Sequence, residues 1–251
     1  MNIVLPMAGL GHRFRAAGYE QPKQLINVLG KPMFYWALDS LRPFVRIDKM
    51  IFVCLREHLE AFPLKNAIYR YCPQAKIVSL DCVLEGQAKT VLAAKMLMKP
   101  DEPLLIYNCD TFMYTRKTPI WSRRNTGSDG VISVFRASDD CFSYVQLDPT
   151  GLVKQVKEKE VISPYATTGL YQFAKARYFV EAAEEAIASH DRIKGEYYIA
   201  PLYNRLIDKG FRFEIDPVHA CFPLGTPEQL ASFVWYVRNL GRQRQRQVAA
   251  I

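Results

Sequence analysis

The sequence has no apolar run long enough to span a membrane, and its first residues, MNIVLPMAGLGHRF, lack the basic segment of a secretory signal. We therefore expect no membrane partner. The histidines are few and show none of the spacings at which histidines bind zinc, which argues against a metal hydrolase. They are His12, His58, His190 and His219.

Cysteine pairs are also absent. None of the six cysteines forms a CxxC motif, and Cys54, Cys82 and Cys109 lie in or near apolar runs typical of strands. We interpret the six as buried, reduced thiols. Reduced thiols favour a cytoplasmic location.

Acidic residues are missing from the end of the chain. None occurs after residue 237, and four of the eight excess positive charges belong to Arg238, Arg242, Arg244 and Arg246. This segment also lacks aromatic residues that could stack on bases among its arginines, so we expect no nucleic-acid partner. The remaining, mildly basic body suits a polyanionic substrate such as a nucleoside triphosphate.

What the sequence does contain is an alternation of short apolar runs and helical patterns. In the first half we predict strands at 2–7, 50–55, 77–80 and 104–107, and helices at 33–41, 57–71 and 87–98. This alternation predicts an α/β fold with a doubly wound, mostly parallel sheet and helices on both faces. With 251 residues, 49% of them hydrophobic, the chain is long enough for one large domain of this class.

The pattern changes near residue 129. Strands at 131–135, 144–147, 152–156 and 168–173 indicate a small β-rich part of a mixed sheet, followed by helices at about 174–189, 198–209 and 226–240. Thr226 is the expected N-cap of the last helix, with Pro227 and Gln229 in its first turn and Gly241 after its end. We predict one domain over 1–241, with halves 1–128 and 129–241, and a flexible basic tail over 242–251.

A glycine-rich segment, Ala8-Gly9-Leu10-Gly11, follows the first predicted strand. Backbone N–H groups exposed there, at the carboxyl edge of a parallel sheet, form a nest for phosphate oxygens. Arg13 adds a guanidinium fork, and Lys23 in Pro22-Lys23 adds a point charge. Two cations at one phosphate cradle can stabilise charge that develops on phosphorus and on departing pyrophosphate. The segment lacks the Walker lysine and the third glycine of a dinucleotide fingerprint, and the alternative is that its glycines only shape a turn.

Asp110 follows the predicted strand 104–107 and therefore emerges at the same edge of the sheet. A hard cation that also binds phosphate oxygens needs only one or two protein carboxylates. Asp110 is therefore a candidate Mg²⁺ ligand, and the alternative is a turn or cap aspartate.

These residues carry a family resemblance. The run LPMAGLGHRF, followed by YEQPKQLINVLGKPM, resembles the nucleotidyltransferases that activate sugar 1-phosphates and related alcohol phosphates. The resemblance covers about residues 2–235 and is strongest to a branch found with surface-polysaccharide genes. It recurs at the segments LEGQA (84–88), NCD (108–110), EK (158–159), TGLY (168–171), GEYY (195–198) and LGTPE (224–228).

The resemblance implies a nucleotide-diphospho-sugar transferase-like fold, with a nucleotide-binding half over 1–128 and an acceptor-binding half over 129–241. It implies Mg²⁺ as cofactor and, as partners, a nucleoside triphosphate and a small phosphorylated acceptor, and it is compatible with a homo-oligomer. The implied nucleotide-binding residues are Met7, Ala8, Gly9, Gly11, Gly86 and Gln87, with Arg13 and Lys23 on the triphosphate and Asp110 on Mg²⁺. The implied acceptor-binding residues are Glu158, Lys159, Thr168, Gly169 and Glu196, with Lys159 on the acceptor phosphate.

The sequence lacks the second metal ligand that many members of the family carry. It also does not decide which nucleobase the protein would bind. Many relatives carry an aspartate where this chain has Pro223, so Asp216, Glu196 or water would have to substitute. Asp81 stands where thymidylyl and uridylyl enzymes often carry glutamine, and its carboxylate could accept a hydrogen bond from a cytosine amino group. The run Pro22-Lys23-Gln24 also resembles cytidylyltransferases, and both features favour CTP. The alternative for Asp81 is an exposed loop acid.

The predicted reaction is attack by an acceptor phosphate oxygen on the α-phosphorus, with release of pyrophosphate. One rival is a glycosyltransferase of the same architecture, which would hold a nucleotide sugar through a D-x-D motif. Here the equivalent triplet is Asn108-Cys109-Asp110, which lacks the first acid. A second rival is a non-catalytic binding module, or an RNA-binding protein that uses the arginine-rich tail.

Overall fold

The computed structural model describes residues 1–123 and 127–248, and for 241–248 it describes the course of the helix only. The strands are β1 (Asn2–Met7), β2 (Asn27–Val28), β3 (Lys31–Pro32), β4 (Ile51–Leu55), β5 (Lys76–Leu80), β6 (Leu104–Tyr107), β7 (Thr111–Tyr114), β8 (Gly130–Arg136), β9 (Ser143–Leu147), β10 (Val153–Glu158), β11 (Tyr165–Phe173), β12 (Phe213–Pro217) and β13 (Ala220–Pro223). The helices are α1 (His12–Ala16), α2 (Met33–Leu41), α3 (Arg56–Ala61), α4 (Leu64–Tyr71), α5 (Gln87–Leu92), α6 (Ala176–Ala188), α7 (Leu202–Ile207) and α8 (Pro227–Val248), and 3₁₀ turns lie at Lys23–Leu25, Lys95–Leu97 and Ile120–Ser122.

One large sheet runs through both halves of the chain. Its order is β10-β9-β11-β6-β1-β4-β5, and β8 pairs with β11 and carries β12 at its other side. Strands β6, β1, β4 and β5 are parallel to one another, whereas β11 is antiparallel to β6 and β8. The predicted mixed, mostly parallel α/β sheet is confirmed: four parallel strands lie in the first half, and β12 and β8 form a further parallel pair in the second.

Helices cover both faces of this sheet. Because successive side chains of a strand point to opposite faces, Val4 of β1 packs among residues of α5, α6 and α7, while Ile3 and Leu5 pack among those of α2 and α4. Strands β4 and β6 are buried along their whole length, as their continuous apolar runs indicated. A third, smaller core lies under α8, where Phe233 and Leu224 pack with Phe14 of α1.

Several predicted helices have different bounds in the structure. The helix expected over 57–71 is two helices, α3 and α4, because Pro63 has no N–H and forces the preceding Phe62 into an extended conformation. The helix expected over 87–98 ends at Leu92. The helix expected from 198 begins only at Leu202, after Pro201.

The last helix is longer than predicted. Thr226 Oγ1 accepts a hydrogen bond from the Gln229 N–H at 3.2 Å, which confirms the predicted N-cap. The end predicted at Gly241 is wrong, since α8 continues to Val248. Residues 242–248 of the expected flexible tail are therefore helical, and residues 249–251 lie outside the described residues. The strands β2, β3, β7, β12 and β13 were not predicted.

The cysteine prediction is partly wrong. All six cysteines are free thiols, and Cys54, Cys72 and Cys109 are buried. Cys82 and Cys141, however, are exposed. Within residues 1–123 and 127–248, no helix combines the length and the apolar character that a membrane span requires.

Candidate functional site

Two open cavities meet beyond the carboxyl end of β6. The first, of about 860 Å³, lies beside the segment that follows β1, and we name it the glycine-loop cavity. The second, of about 930 Å³, lies beside the bend in β11, and we name it the β11 cavity. They share Gln87, Asn108 and Asp110. Among the predicted site residues, Met7, Ala8, Gly9, Lys23, Gly86 and Glu196 line only the glycine-loop cavity, and Arg13, Glu158, Lys159, Thr168 and Gly169 line only the β11 cavity.

The chain turns sharply between β1 and α1. Gly11 has a φ of +66° and is the N-cap of α1. A Cβ atom at Gly11 would lie 3.3 Å from the Cβ of Lys23, so glycine allows the two segments to approach closely. Behind the turn, Gln24 Nε2 donates a hydrogen bond to the Met7 carbonyl at 3.3 Å. The glycine segment and Lys23 are thereby held against each other. Arg13, predicted beside Lys23 on the triphosphate, lines only the β11 cavity.

Lys23 and Asp110 form an ion pair between the two cavities. Lys23 Nζ lies 2.6 Å from Asp110 Oδ2, and the two side chains are only 20% and 17% exposed. Burial acts to lower the pKa of Lys23, but the attraction of Asp110 outweighs it, and the pKa of Lys23 is raised. Lys23 therefore stays protonated and provides a fixed positive charge at the point where the cavities meet.

Asp110 is held in place by the segment before α8. Its carbonyl accepts a hydrogen bond from the Leu224 N–H at 2.7 Å. A Cβ atom at Gly225 would lie 3.2 Å from Asp110 Oδ2, so this glycine leaves room for the carboxylate. The Asp110 side chain held in this way lines both cavities.

The bend in β11 is made by Gly169, which has a φ of +78° and lies where the pairing of β11 with β8 shifts register. A Cβ atom here would lie 2.2 Å from Asn108 Nδ2, so only glycine fits. Asn108 also donates its N–H to the Gly169 carbonyl at 3.1 Å and accepts a hydrogen bond from Gln87 Nε2 at 2.5 Å. No separate role was predicted for Asn108, although its place directly after a buried strand was a usable signal.

The acceptor residues predicted at the end of β10 do lie together. The Glu158 carboxylate accepts a hydrogen bond from the Ser143 hydroxyl, and burial raises the pKa of Glu158. Lys159 Nζ donates to the Tyr198 hydroxyl at 2.8 Å. Ser143 and Tyr198 were missed, because only the folded chain brings them to the Glu158-Lys159 pair.

Residues 2–210 match the family model described as nucleotidyl transferase. The chain belongs to the nucleotidyl transferase family.

Relatives support this membership. Two proteins named bifunctional protein GlmU, from Thermodesulfovibrio yellowstonii and Aquifex aeolicus, are 25% and 26% identical over 95% and 84% of this chain. This chain spans about half of their length, 52% and 47%. A crystal structure named nucleoside-diphosphate-sugar pyrophosphorylase, from Vibrio cholerae RC9, is 30% identical, with a TM-score of 0.80 over 92% of this chain and 99% of that chain. The inositol-1-phosphate CTP transferase of T. maritima shares the fold, with a TM-score of 0.75 at 13% identity over 94% of this chain and 93% of that one.

In this nucleotidyl transferase, Asp216 does not lie at the site. It belongs to β12, which is three strands from β6, or roughly 14 Å at the usual spacing of strands. Its Oδ2 accepts a hydrogen bond from the Ile120 N–H at 2.6 Å, and it lines neither cavity. The geometry therefore does not support Asp216 as a second metal ligand.

Asp81 is also outside both cavities. Its carboxylate is 77% exposed and forms an ion pair with Arg56 at 2.6 Å. Its neighbours Val83 and Leu84 line the glycine-loop cavity instead. The geometry does not support Asp81 as the residue that reads the base, and the alternative of an exposed loop acid fits better.

Glu196 lies in a different cavity from the one expected. Gly86, with a φ of +103°, packs so closely on Tyr197 that a Cβ atom would lie 2.5 Å from the Tyr197 backbone N and O. Tyr197 N–H donates to the Glu85 carbonyl and Ala88 N–H donates to the Tyr197 carbonyl, both at 2.9 Å. This docking brings Glu196 to the glycine-loop cavity rather than to the β11 cavity, where an acceptor role was predicted.

The donor set at this site fits one kind of metal ion. Within the described residues, no three His, Cys, Asp or Glu side chains are grouped so as to hold a metal. A single carboxylate, Asp110, faces both cavities. Mg²⁺ keeps several waters and commonly takes one or two carboxylates together with substrate phosphates, so Asp110 suits a Mg²⁺ that arrives with a nucleotide.

Proposed function

We propose that this protein transfers a nucleoside monophosphate from a nucleoside triphosphate to a small phosphorylated acceptor and releases pyrophosphate. One observation carries the proposal. Two cavities meet at Asp110, and each holds at least one cationic side chain, Lys23 in the glycine-loop cavity and Arg13 and Lys159 in the β11 cavity. Two polyanions bound side by side need this arrangement, because their mutual repulsion must be neutralised at the point of contact.

The triphosphate would bind in the glycine-loop cavity. This cavity is lined by Met7, Ala8, Gly9 and Gly86. Glycines among these residues would allow the nucleotide to approach the backbone closely. Lys23 lies at its border with the β11 cavity, 2.6 Å from Asp110, where the scissile phosphate would lie. Lys23 remains charged and would stabilise the negative charge that develops as the bond to pyrophosphate breaks.

The acceptor would bind in the β11 cavity. Lys159 would hold its phosphate together with Arg13, which was predicted on the triphosphate but lines only the β11 cavity. Glu158, Thr168 and the Gly169 backbone would contact its organic part. An oxygen of this phosphate attacks the α-phosphorus, and the α–β phosphoanhydride bond breaks. The nucleophile is already an anion, so the chain needs no general base. Mg²⁺, when bound at Asp110, would supply further neutralisation of phosphate charge.

We also propose finer assignments, each supported by the sequence. CTP is the first triphosphate to test, because Pro22-Lys23-Gln24 resembles cytidylyltransferases, although Asp81 no longer supports this choice. A sugar phosphate is the first acceptor to test, with a role in making activated precursors for surface polysaccharides. We propose that the protein works in a reducing compartment such as the cytoplasm, because its six cysteines are free thiols.

Pyrophosphate release from a matrix of substrates tests the proposal. ATP, CTP, GTP, UTP and dTTP are each combined with sugar 1-phosphates and polyol phosphates, with Mg²⁺ and with excess EDTA. We expect one combination to release pyrophosphate only when acceptor and Mg²⁺ are both present. A glycosyltransferase would instead show no acceptor-dependent pyrophosphate release from any triphosphate.

Lys23→Ala and Lys154→Ala provide a matched pair for that assay. Lys23→Ala should lower kcat/KM by about 100- to 1,000-fold, the usual effect of removing one group that stabilises transition-state charge. Lys154 is exposed on β10 and lines neither cavity, so Lys154→Ala should keep the wild-type rate. Circular dichroism checks that both variants are folded. Wild-type turnover in a folded Lys23→Ala variant would refute the role of Lys23.

A further inference from the structure

Lys159 has an unusual backbone conformation. Its φ is +56°, in the left-handed region that residues with a Cβ atom rarely adopt. Its N–H donates a hydrogen bond to the Phe142 carbonyl at 3.0 Å, which fixes the turn after β10. Lys194 and His190 also have a positive φ, so what distinguishes Lys159 is that its side chain lines the β11 cavity. Strained residues that the surrounding structure holds in place are concentrated at functional sites, so the position of this ammonium group matters.

Tyr198 fixes the other end of the same side chain. Lys159 Nζ lies 2.8 Å from the Tyr198 hydroxyl oxygen and 4.8 Å from the centre of the Tyr198 ring. One residue thus provides both a hydrogen-bond acceptor and the negative face of an aromatic ring. The backbone and the ammonium group of Lys159 are both constrained, although lysine is among the most flexible side chains.

The charge state of the Tyr198 hydroxyl is set by its surroundings. Burial, a hydrogen bond to Glu196 and the charge of Glu158 all raise the pKa of Tyr198. The hydroxyl therefore stays protonated, and its oxygen accepts the hydrogen bond from Lys159. Tyr198 and Lys159 both line the β11 cavity, so the hydroxyl holds the ammonium group at that cavity.

We propose that Tyr198 is a positioning residue for acceptor binding, whose hydroxyl holds the Lys159 ammonium group where the phosphate of the acceptor binds. The identity of that anion rests on the proposed function. A free lysine would lose its side-chain freedom only when the anion binds, and affinity would fall accordingly. Because Tyr198 holds Lys159 in place beforehand, the loss of the hydroxyl should weaken phosphate binding without unfolding the protein.

Tyr198→Phe tests this proposal, since it keeps the ring and removes the hydroxyl. The matched control is Tyr197→Phe, because the Tyr197 hydroxyl bonds to Arg192 Nε at 3.1 Å and Tyr197 lines neither cavity. Inorganic phosphate is the probe, and calorimetry gives its Kd for the wild type, both Phe variants, Lys159→Ala and the double variant Tyr198→Phe/Lys159→Ala. We expect a Kd about 3- to 10-fold higher for Tyr198→Phe, a larger rise for Lys159→Ala, and a wild-type value for Tyr197→Phe.

The double variant separates positioning from general damage to the fold. If Tyr198 acts through Lys159, Tyr198→Phe should change nothing further in the Lys159→Ala background. Additive effects in the double variant, a wild-type Kd for Tyr198→Phe, or phosphate binding that does not depend on Lys159 would each overturn the inference. Pyrophosphate release is measured on the same proteins, with acceptor KM expected to rise and triphosphate KM to stay unchanged in Tyr198→Phe. Phosphate binding with the expected pattern but no pyrophosphate release from the wild type would refute the proposed function and leave the role of Tyr198 supported.

Discussion

At the residue scale, the Lys23–Asp110 pair shows what sequence patterns can and cannot predict. Both residues were predicted as site residues, Lys23 from the cations after the glycine segment and Asp110 from its place after a buried strand. Their contact at 2.6 Å was not predicted, because 87 residues separate them in the chain. The same reason explains why Tyr198 and Asn108 were missed and why Asp81 and Asp216 were assigned to cavities that they do not line. The sequence does not show that the Asp81 carboxylate pairs with Arg56, or that the Asp216 carboxylate accepts a hydrogen bond from a backbone N–H.

Gln24 and His58 form a buried pair beneath the glycine segment. Gln24 Nε2 lies 3.3 Å from the Met7 carbonyl oxygen and 3.2 Å from His58 Nδ1. The amide has two N–H groups and can donate one to each, provided that His58 Nδ1 carries no proton. Burial lowers the pKa of His58, which agrees with a neutral ring. The position of Met7 at the proposed nucleotide site thus depends on an uncharged histidine.

This pair predicts a dependence of stability on pH. An unfolded His58 titrates near its ordinary pKa of about 6.5, and the folded state has a lower value. The neutral ring therefore stabilises the fold fully above about pH 6.5, and this contribution is lost as the pH falls towards the folded pKa. Urea unfolding at pH 7.5 and 5.5 measures the loss. We expect a smaller loss for His58→Asn than for the wild type, together with a decrease of about 1–3 kcal/mol in stability at neutral pH.

His190→Asn is the control for that experiment. His190 is exposed and has a φ of +53°, which asparagine tolerates well. Its substitution should leave the pH dependence as in the wild type. If His58→Asn loses as much stability on acidification as the wild type does, His58 is not the group responsible.

At the scale of the elements, apolar runs predicted strands better than helical periodicity predicted helix ends. The runs at 2–7 and 104–107 are strands with those bounds, because burial on both faces leaves a continuous apolar signal. Helix ends depended on contacts that the periodicity does not contain. Tyr197 docks on Gly86, and α7 begins only at Leu202. Gly241 does not end α8, since a helix can include a glycine at a cost of about 1 kcal/mol.

The start of α8 allows a test at this scale. Thr226 Oγ1 caps the helix through the Gln229 N–H, and Gln229 Oε1 accepts a hydrogen bond from the Gly225 N–H at 3.1 Å. Thr226→Ala should therefore lower the free energy of unfolding by about 1 kcal/mol, as measured by urea unfolding. Ser232→Ala is the control, because Ser232 is exposed within the same helix and should change stability by less than about 0.5 kcal/mol. Equal effects of the two substitutions would contradict a capping role for Thr226.

At the scale of the whole molecule, the two predicted halves share one sheet and both large cores. Strand β6 lies between β1, from the first half, and β11, from the second, and its four side chains are fully buried. The two large cores each combine residues of both halves, such as Val4 with Ile132 in one and Ile3 with Leu170 in the other. The boundary at 128 and 129 therefore divides two proposed binding roles within one sheet.

This continuity predicts how fragments behave. A chain of residues 1–128 would leave β6 as an edge strand with an uncovered apolar face, and such edges aggregate. We expect circular dichroism and size-exclusion chromatography to show that this fragment is unfolded or aggregated.

The whole chain should unfold in urea in one transition, with the same midpoint by circular dichroism and by tryptophan fluorescence. A chain that ends at Leu240 is the control, since it keeps every strand and both cavities and should retain this transition and the pyrophosphate-releasing activity. A monomeric 1–128 fragment that unfolds cooperatively would show that the first half forms its own core, and the shared sheet would then be a docking surface between two domains rather than the centre of one.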